Sequence, residues 1–369
     1  MQFIDLKTQQ LKIRTDIIKR IEKILDHGKY VMGPEVQELE QRLADYSGTN
    51  YAIGVSSGTD ALMMTLMAYD IGKDDAVFTT PFTFIATASM IRVVHATPVF
   101  VDIHSSTFNI DCIKLEQEIL KTINEGKLKP KAIIAVDLFG QLADYDKLEK
   151  IAKKYNLILI EDAAQSFGAS YKNKKSCSFG DIATTSFFPA KPLGGYGDSG
   201  MIFTNGEDIY KKLLSLRVHG KSDHKYNNIR IGINGRLDTI QAAIILAKME
   251  IFDEEIQKRQ KIAVNYTNLL PDNLTTPKLG KDHISAWAQY SILSNKRDKL
   301  MQKLNDAGIP TAIYYPKPLH LQDAFNDLNY NEGDFPVSED ISEKIFSLPF
   351  HPYLKYEDQV KIAKIIGVE

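Results

Sequence analysis

Cysteine is almost missing from this chain, with Cys112 and Cys177 the only two among 369 residues. Two cysteines this far apart exclude a small disulfide-stapled fold and offer no metal-ligand spacing, so no metal is expected and a reducing, cytoplasmic setting is. Excess charge of either sign is missing as well: 45 Lys and Arg face 47 Asp and Glu, a formal net of −2. That balance argues against non-specific binding to nucleic acid, so an anionic ligand must be met by local cations or by helix N-termini. No apolar run approaches the roughly 18 residues of a bilayer-spanning helix. Residues 1–7 lack the apolar core of a secretory signal. These absences lead to the expectation of a soluble protein that neither crosses nor docks on a membrane. No internal repeat or low-complexity tract is visible.

What is present is an alternation. Short apolar runs occur at 51–55, 76–80, 98–103, 132–136, 157–160, 183–187 and 201–204. Amphipathic segments at 61–69, 115–123 and 145–155 lie between them. Strands alternating with helices predict an α/β fold, with a mostly parallel sheet covered by helices on both faces. The near-continuous apolar character of 157–160 fits a strand buried on both sides. Two helices precede this core, one carrying Ile13, Ile17, Ile21 and Ile24, the other starting near Pro34 with Val36, Leu39 and Leu43. After Gly235 the pattern changes: 237–270 reads as a long helix, whole or broken, and 271–282 is turn-rich. A strand at 288–293 and helices at 296–307 and 339–346 follow. The predicted organisation is a large α/β domain, 1–250, and a smaller C-terminal α+β domain, 251–369.

Three places carry chemistry. Val55-Ser56-Ser57-Gly58-Thr59-Asp60 leaves a strand and opens a helix, and backbone N–H groups at a helix start suit a phosphate. The alternative is an ordinary Ser/Thr cap. Asp162 ends a buried strand, where open α/β sheets bind ligands. A buried carboxylate needs a partner; the candidates are a structural pairing or the protonated ring nitrogen of pyridoxal 5′-phosphate. Lys191 stands between Ala190 and Pro192 with Gly194 and Gly195 close behind. A residue before proline is pushed out of the helical region, so this lysine occupies a constrained turn rather than a solvated helix face. A lysine amine can join the cofactor aldehyde as a Schiff base, then carry a proton once the substrate amine displaces it. Gly195-Tyr196-Gly197-Asp198-Ser199-Gly200 fits the G-x-G-x-x-G pattern, but the next residues read as a strand where a dinucleotide site needs a helix. These glycines are read as shaping the turn around Lys191.

With those residues quoted, the chain resembles the DegT/DnrJ/EryC1/StrS family of pyridoxal-phosphate-dependent sugar aminotransferases. The likeness runs from Phe3-Ile4-Asp5-Leu6 to Ser347-Leu348-Pro349. It rests on four blocks: Ser57-Gly58-Thr59-Asp60-Ala61-Leu62, Glu161-Asp162-Ala163-Ala164-Gln165, Ser186-Phe187-Phe188-Pro189-Ala190-Lys191 and Gly235-Arg236-Leu237-Asp238. The resemblance implies the type I aminotransferase fold and a homodimer with active sites at the subunit interface. It implies Lys191 as the Schiff-base lysine, Asp162 as the ring-nitrogen partner and Gln165 near the cofactor's 3′ oxygen. Gly58, Thr59 and Ser186 would hold the phosphate, joined by Asn234 of the partner subunit. Phe84 would stack on the ring; read without the family, it is a core residue.

Family members with histidine at the lysine position dehydrate instead of aminating. Lys191 therefore implies transamination of a nucleotide-linked keto sugar with L-glutamate as donor. Further likeness, through His219-Gly220, Asn228-Ile229-Arg230 and Ser347-Leu348-Pro349-Phe350-His351-Pro352, points to enzymes that aminate UDP-linked 3-keto sugars of the 2-acetamido-3-keto-glucuronate type, for bacterial surface polysaccharide. Arg236 would then face a sugar carboxylate or phosphate, with an ion pair to a helix acid as its alternative. His219 and Tyr315 join the implied substrate contacts. Tyr314 stands where uronate enzymes tend to have histidine, which keeps neutral UDP-3-keto-N-acetylglucosamine open as the substrate, with a 4-keto-6-deoxy sugar behind it. A cofactor-binding regulator or inactive partner is the reading from another class.

Overall fold

The computed structural model describes residues 1–224 and 226–367. Helix α1 (Leu6–His27) is capped by Asp5, whose carboxylate accepts from Thr8 N at 2.9 Å, and stops at Gly28 in the left-handed region, φ 66°. It buries Ile13, Ile17 and Ile24, three of the four isoleucines expected to form its packed face. Helix α2 (Pro34–Ser47) begins on a proline, whose missing N–H costs nothing in a first turn.

The chain then alternates: β1 (Tyr51–Val55), α3 (Gly58–Ala68), β2 (Asp75–Thr79), α4 (Ala86–Val93), β3 (Thr97–Phe100), α5 (Cys112–Glu125), β4 (Lys129–Val136), α6 (Tyr145–Tyr155) and β5 (Ile158–Asp162). A small hairpin, β6 (Ser170–Tyr171) and β7 (Lys174–Lys175), precedes β8 (Ile182–Ser186), β9 (Gly200–Thr204) and α7 (Glu207–Leu216). Seven strands form one sheet in the order β1-β9-β8-β5-β4-β2-β3. Only β9 runs against its neighbours; β2, β3, β4, β5 and β8 pair in parallel. All seven apolar runs picked out in the sequence are strands of this sheet.

Successive residues of these strands enter different cores. Phe78, Ile133, Leu159 and Ala183 pack on the α2, α5, α6 side; Val77, Ile134, Ile160 and Ile182 pack on the α3, α7 side. Period-two alternation with both faces covered is why the strands read as continuous apolar runs rather than as polar–apolar alternation.

Helix α8 (Thr239–Leu269) is one unbroken helix of 31 residues. Its first part contributes Ala242, Ile245, Leu246, Met249, Phe252 and Ile256 to the main core. Its last turns contribute Ile262, Ala263 and Tyr266 to a separate C-terminal core. That second core is built with β11 (Tyr290–Leu293), α9 (Arg297–Asp306), β12 (Ile345–Leu348) and α11 (Tyr356–Gly367), while α10 (Pro336–Lys344) places Ile341 in another cluster with Phe82 and Phe139, and β10 (His283–Ile284) pairs back with β6. The helix expected at 339–346 is corrected: it starts at Pro336, ends at Lys344 and gives way to β12. The run Ile345–Leu348 pairs antiparallel with Tyr290–Leu293, so sheet pairing overrides the helical pattern at those residues. The strand expected at 98–103 stops at Phe100, because Asp102 turns away to accept from Val337 N and Ser338 N at the start of α10. No described helix is long and apolar enough to cross a membrane.

Candidate active site

The C-terminal ends of β1, β5 and β8 lie at one edge of the sheet, and the expected chemical groups leave from there. After β1, Ser57 caps α3, its Oγ accepting from Asp60 N at 3.0 Å. Gly58 and Thr59 form the first helical turn, whose amides have no acceptors within the helix and favour an anion. Glycine is required at position 58: a Cβ there would lie 2.6 Å from the Cβ of Ser186. The same close approach holds between Gly200 and Ser57, where an added Cβ would sit 2.6 Å from the Ser57 carbonyl carbon. The structure thus brings Ser186, at the end of β8, directly against the start of α3.

Asp162 ends β5 and is 3% exposed. Its Oδ2 accepts from Thr87 Oγ1 at 2.8 Å and its Oδ1 from Ala164 N at 3.2 Å. Burial raises its pKa, against the opposing pull of those hydrogen bonds and of Lys191. Lys191 sits in the turn between β8 and β9. That turn is tied by Phe187 N to Ser199 O (2.8 Å), Gly195 N to Phe187 O (2.7 Å) and Lys191 N to Phe188 O (2.9 Å). Burial lowers the Lys191 amine to about 8, with Asp162 pulling the other way. A lysine and a carboxylate, each pushed towards neutrality by desolvation and each feeling the other's charge, are the electrostatic signature of a reactive site.

Gln165, one turn beyond Asp162, accepts from Phe139 N at 2.7 Å and donates to the Tyr315 hydroxyl at 3.1 Å. The Tyr315 ring stands 6.2 Å from Phe82 and 6.4 Å from Phe84; burial raises its phenol and Asp162 adds to the shift. Phe84 is 55% exposed, so its alternative reading as a core residue is excluded. Its ring stands on the open side of the cluster, free to cover a flat ligand. Tyr314 packs beside Tyr315 (5.9 Å) and Phe3 (6.5 Å).

Three expected site residues stay apart from this group within the single chain. His219 is exposed with φ 62°, and its carbonyl accepts from Asn228 Nδ2 at 2.8 Å. Asn234 is also exposed, and its Oδ1 accepts from Arg236 Nε at 2.9 Å. The Arg236 contact is therefore a hydrogen bond to Asn234, not the ion pair with a helix acid held open as its alternative. The backbone of this segment does reach the site's edge, pairing Arg236 with Val55 and donating from Ser56 N to Gly235 O at 3.2 Å. Thr87 is a site residue that the sequence reading missed. It lies inside a helix, and nothing in its neighbours reveals that its hydroxyl faces Asp162. The G-x-G-x-x-G stretch runs straight into β9, which begins at its last glycine, so it is not a dinucleotide turn. Among the described residues no group of three or more His, Cys, Asp or Glu side chains could hold a metal ion.

These residues suit pyridoxal 5′-phosphate: a helix start and Ser186 for a phosphate, a buried carboxylate for a ring cation, a desolvated amine for an aldehyde, an exposed aromatic for a ring face.

Residues 11–367 match the model of the DegT/DnrJ/EryC1/StrS aminotransferase family. The chain is 46% identical over 355 residues to the UDP-2-acetamido-2-deoxy-3-oxo-D-glucuronate aminotransferase of Pseudomonas aeruginosa, covering 96% of each chain. Its fold superposes on a crystal structure of a DegT DnrJ EryC1 StrS aminotransferase from Brucella abortus with a TM-score of 0.97, at 48% identity, over 99% of this chain and 98% of that one. It superposes on NtdA from Bacillus subtilis, solved with its cofactor PMP bound, with a TM-score of 0.88 at 30% identity, over 99% of this chain and 82% of that one. The chain belongs to the DegT/DnrJ/EryC1/StrS aminotransferase family and is a pyridoxal-phosphate-dependent aminotransferase.

Proposed function

We propose that this enzyme moves the amino group of L-glutamate to the keto carbon of a UDP-linked 3-keto sugar of the 2-acetamido-3-keto-glucuronate type. The observation that carries the chemistry is the desolvated Lys191 amine within the electrostatic reach of buried Asp162. The likeness to the Pseudomonas enzyme supports the sugar. The 3-amino sugar would serve cytoplasmic synthesis of a bacterial surface polysaccharide.

Pyridoxal phosphate supplies an electron sink for the bonds broken at the amine-bearing carbon. The chain's residues do the rest. Asp162, held by Thr87 and Ala164, would offer its negative charge to the protonated ring nitrogen. Gly58, Thr59 and Ser186 would hold the phosphate, Phe84 would cover the ring, and Gln165, fixed by Phe139 N and Tyr315, would serve the 3′ oxygen. Lys191 Nζ, neutral for much of the population near pH 8, takes the proton from Cα of glutamate and later returns one to the sugar carbon.

Asn234, Arg236 and His219 act in a homodimer, with Asn234 of the partner subunit completing the phosphate site. The exposure of Asn234 and His219 in one chain supports this, as do Ile229 and Ile231, which are 57% and 86% exposed on the same segment. Arg236 is the cation for a sugar carboxylate or phosphate. We also propose the division into a large domain and a C-terminal domain from about residue 251. Helix α8 passes from one core to the other between Ile256 and Ile262.

One observation favours a neutral sugar instead. Tyr314 is a phenol whose pKa burial raises, so it brings no positive charge to the sugar. Assaying UDP-2-acetamido-3-keto-glucuronate and UDP-3-keto-N-acetylglucosamine side by side, with nitrogen-15 glutamate, separates the two. Label should enter the first sugar with the higher kcat/KM; preference for the second makes the neutral sugar the substrate. Failure to label either overturns the proposal.

A further inference from the structure

The reaction described above leaves one buried lysine without a task. Lys248 lies on α8, 1% exposed, and its Nζ has no hydrogen-bond partner. A buried ammonium with no acceptor is costly, and a leucine or methionine would fill the same space at no electrostatic cost. What Nζ does meet is the face of an aromatic ring: it stands 4.6 Å from the centroid of Tyr196. A desolvated cation over a ring face is stabilising, and more so inside a protein than at its surface.

Tyr196 belongs to the turn that carries Lys191. The same helix holds that turn a second time, because Tyr196 N donates to Gln241 Oε1 at 2.8 Å. Gln241 and Lys248 are seven residues apart, two helical turns, and so share one face of α8. The backbone comes this close to the helix only because glycines flank the tyrosine. A Cβ on Gly195 would lie 2.7 Å from Gln241 Oε1, and one on Gly197 would lie 2.9 Å from its Nε2. The turn's other end is fastened to the sheet through Gly195 N and Phe187 O. Lys191 therefore projects from a loop clamped on one side by β8 and β9 and on the other by α8.

We infer that Lys248, acting through the Tyr196 ring together with Gln241, is a positioning residue for the Lys191 amine. Its charge does not act on Lys191 directly: burial and Asp162 account for the Lys191 shift. The link is mechanical, from the α8 face through the tyrosine ring to the turn. Misplacing a reacting group by about 1 Å can cost roughly 100-fold in rate, so a loosened turn should show in kcat. The inference rests on Lys191 being the reacting lysine.

The test uses the cofactor-loaded enzyme and Lys248→Met, which keeps the length and removes the charge. Thermal unfolding should be unchanged or slightly raised, because an unpaired buried charge is gone. The kcat should fall by roughly 10- to 100-fold, with KM for both substrates within about twofold. Hydrogen exchange at the Tyr196 and Gly197 amides should speed up by at least about tenfold, while the central amides of α8 keep their protection. Tyr196→Leu should reproduce both effects, Tyr196→Phe should restore most of the rate, and Lys248→Met with Tyr196→Leu should cost no more than either alone. Wild-type kcat in Lys248→Met overturns the inference, as do additive losses in the double variant. Faster exchange spread along α8 with a lowered melting temperature overturns it too, since that marks a packing role. Wild-type kcat counts against the inference whether or not the turn exchanges faster, whereas a Lys191→Ala protein that still turns over would instead overturn the reading on which it rests.

Discussion

Glu161 and Asp162 follow one another in β5 and serve opposite faces of the same sheet. Glu161 faces the α6 side, where its oxygens accept from Cys177 N at 2.7 Å and Phe179 N at 2.9 Å. Its neighbour there is a second acid, Asp137, which accepts from Ala143 N, the Tyr145 hydroxyl and Ser166 Oγ at 2.8–2.9 Å. With no cation among their partners, burial raises both acids; the charge of Asp137 raises Glu161 further, while the hydrogen bond with Glu161 holds Asp137 down, as expected of a pair that shares a proton. Asp162 faces the other side, towards Thr87 and Lys191. Both carboxyls are buried and both are raised, so burial alone does not mark the functional one. The difference is the company: Glu161 is completed by its own chain, whereas Asp162 is poised for a cation that the chain supplies only in part.

That comparison makes graded predictions. Asp162→Asn should fold and melt like the parent yet lower kcat by roughly 100- to 1000-fold, since it removes the charge proposed to meet the cofactor's ring nitrogen. An activity within tenfold of wild type would make Asp162 no more functional than Glu161. Thr87→Val, which deletes a donor to that carboxylate, should lower kcat by roughly tenfold with little effect on melting; steady-state kinetics beside a thermal scan decide it. Asp137→Asn should leave kcat within about twofold, because it touches only the structural pair.

The Asp137 variant should instead change how stability depends on pH. Asp137 is pushed up to about 7 in the folded protein, above the ~3.9 of an unfolded aspartate. The folded state then holds a proton that the unfolded chain releases. This contribution is fully present below pH ~4 and is lost as pH rises through about 7. Melting temperatures measured from pH 5 to pH 8 should therefore fall more steeply for the parent than for Asp137→Asn. Parallel slopes would mean that the two acids do not share a proton.

Much of this was legible in the chain. The seven apolar runs, the helix start after β1 and the turn around Lys191 were visible because each depends on local pattern: alternating cores, a Ser-Gly-Thr cap and a lysine hemmed in by proline and glycine. Glu161 and Asp162 looked alike in sequence, since adjacent acids at a strand end do not reveal which face each meets. Thr87 and Lys248 were hidden for the same reason, their partners lying 75 and 52 positions away in the chain. The helix expected at 339–346 overruns the first two residues of β12, because the ladder that holds them to β11 spans distant segments. The roles of Asn234 and Arg236 depend on what meets the exposed face of their segment, and no single-chain pattern supplies that.

The most direct measurement follows the visible absorbance of the cofactor-loaded protein through both half-reactions. Adding L-glutamate alone should abolish the lysine-linked visible band in the wild type, and adding the UDP-3-keto sugar should restore it. Lys191→Ala should show neither change. A wild-type band that survives saturating glutamate, or a Lys191→Ala protein that cycles like the parent, would contradict the account.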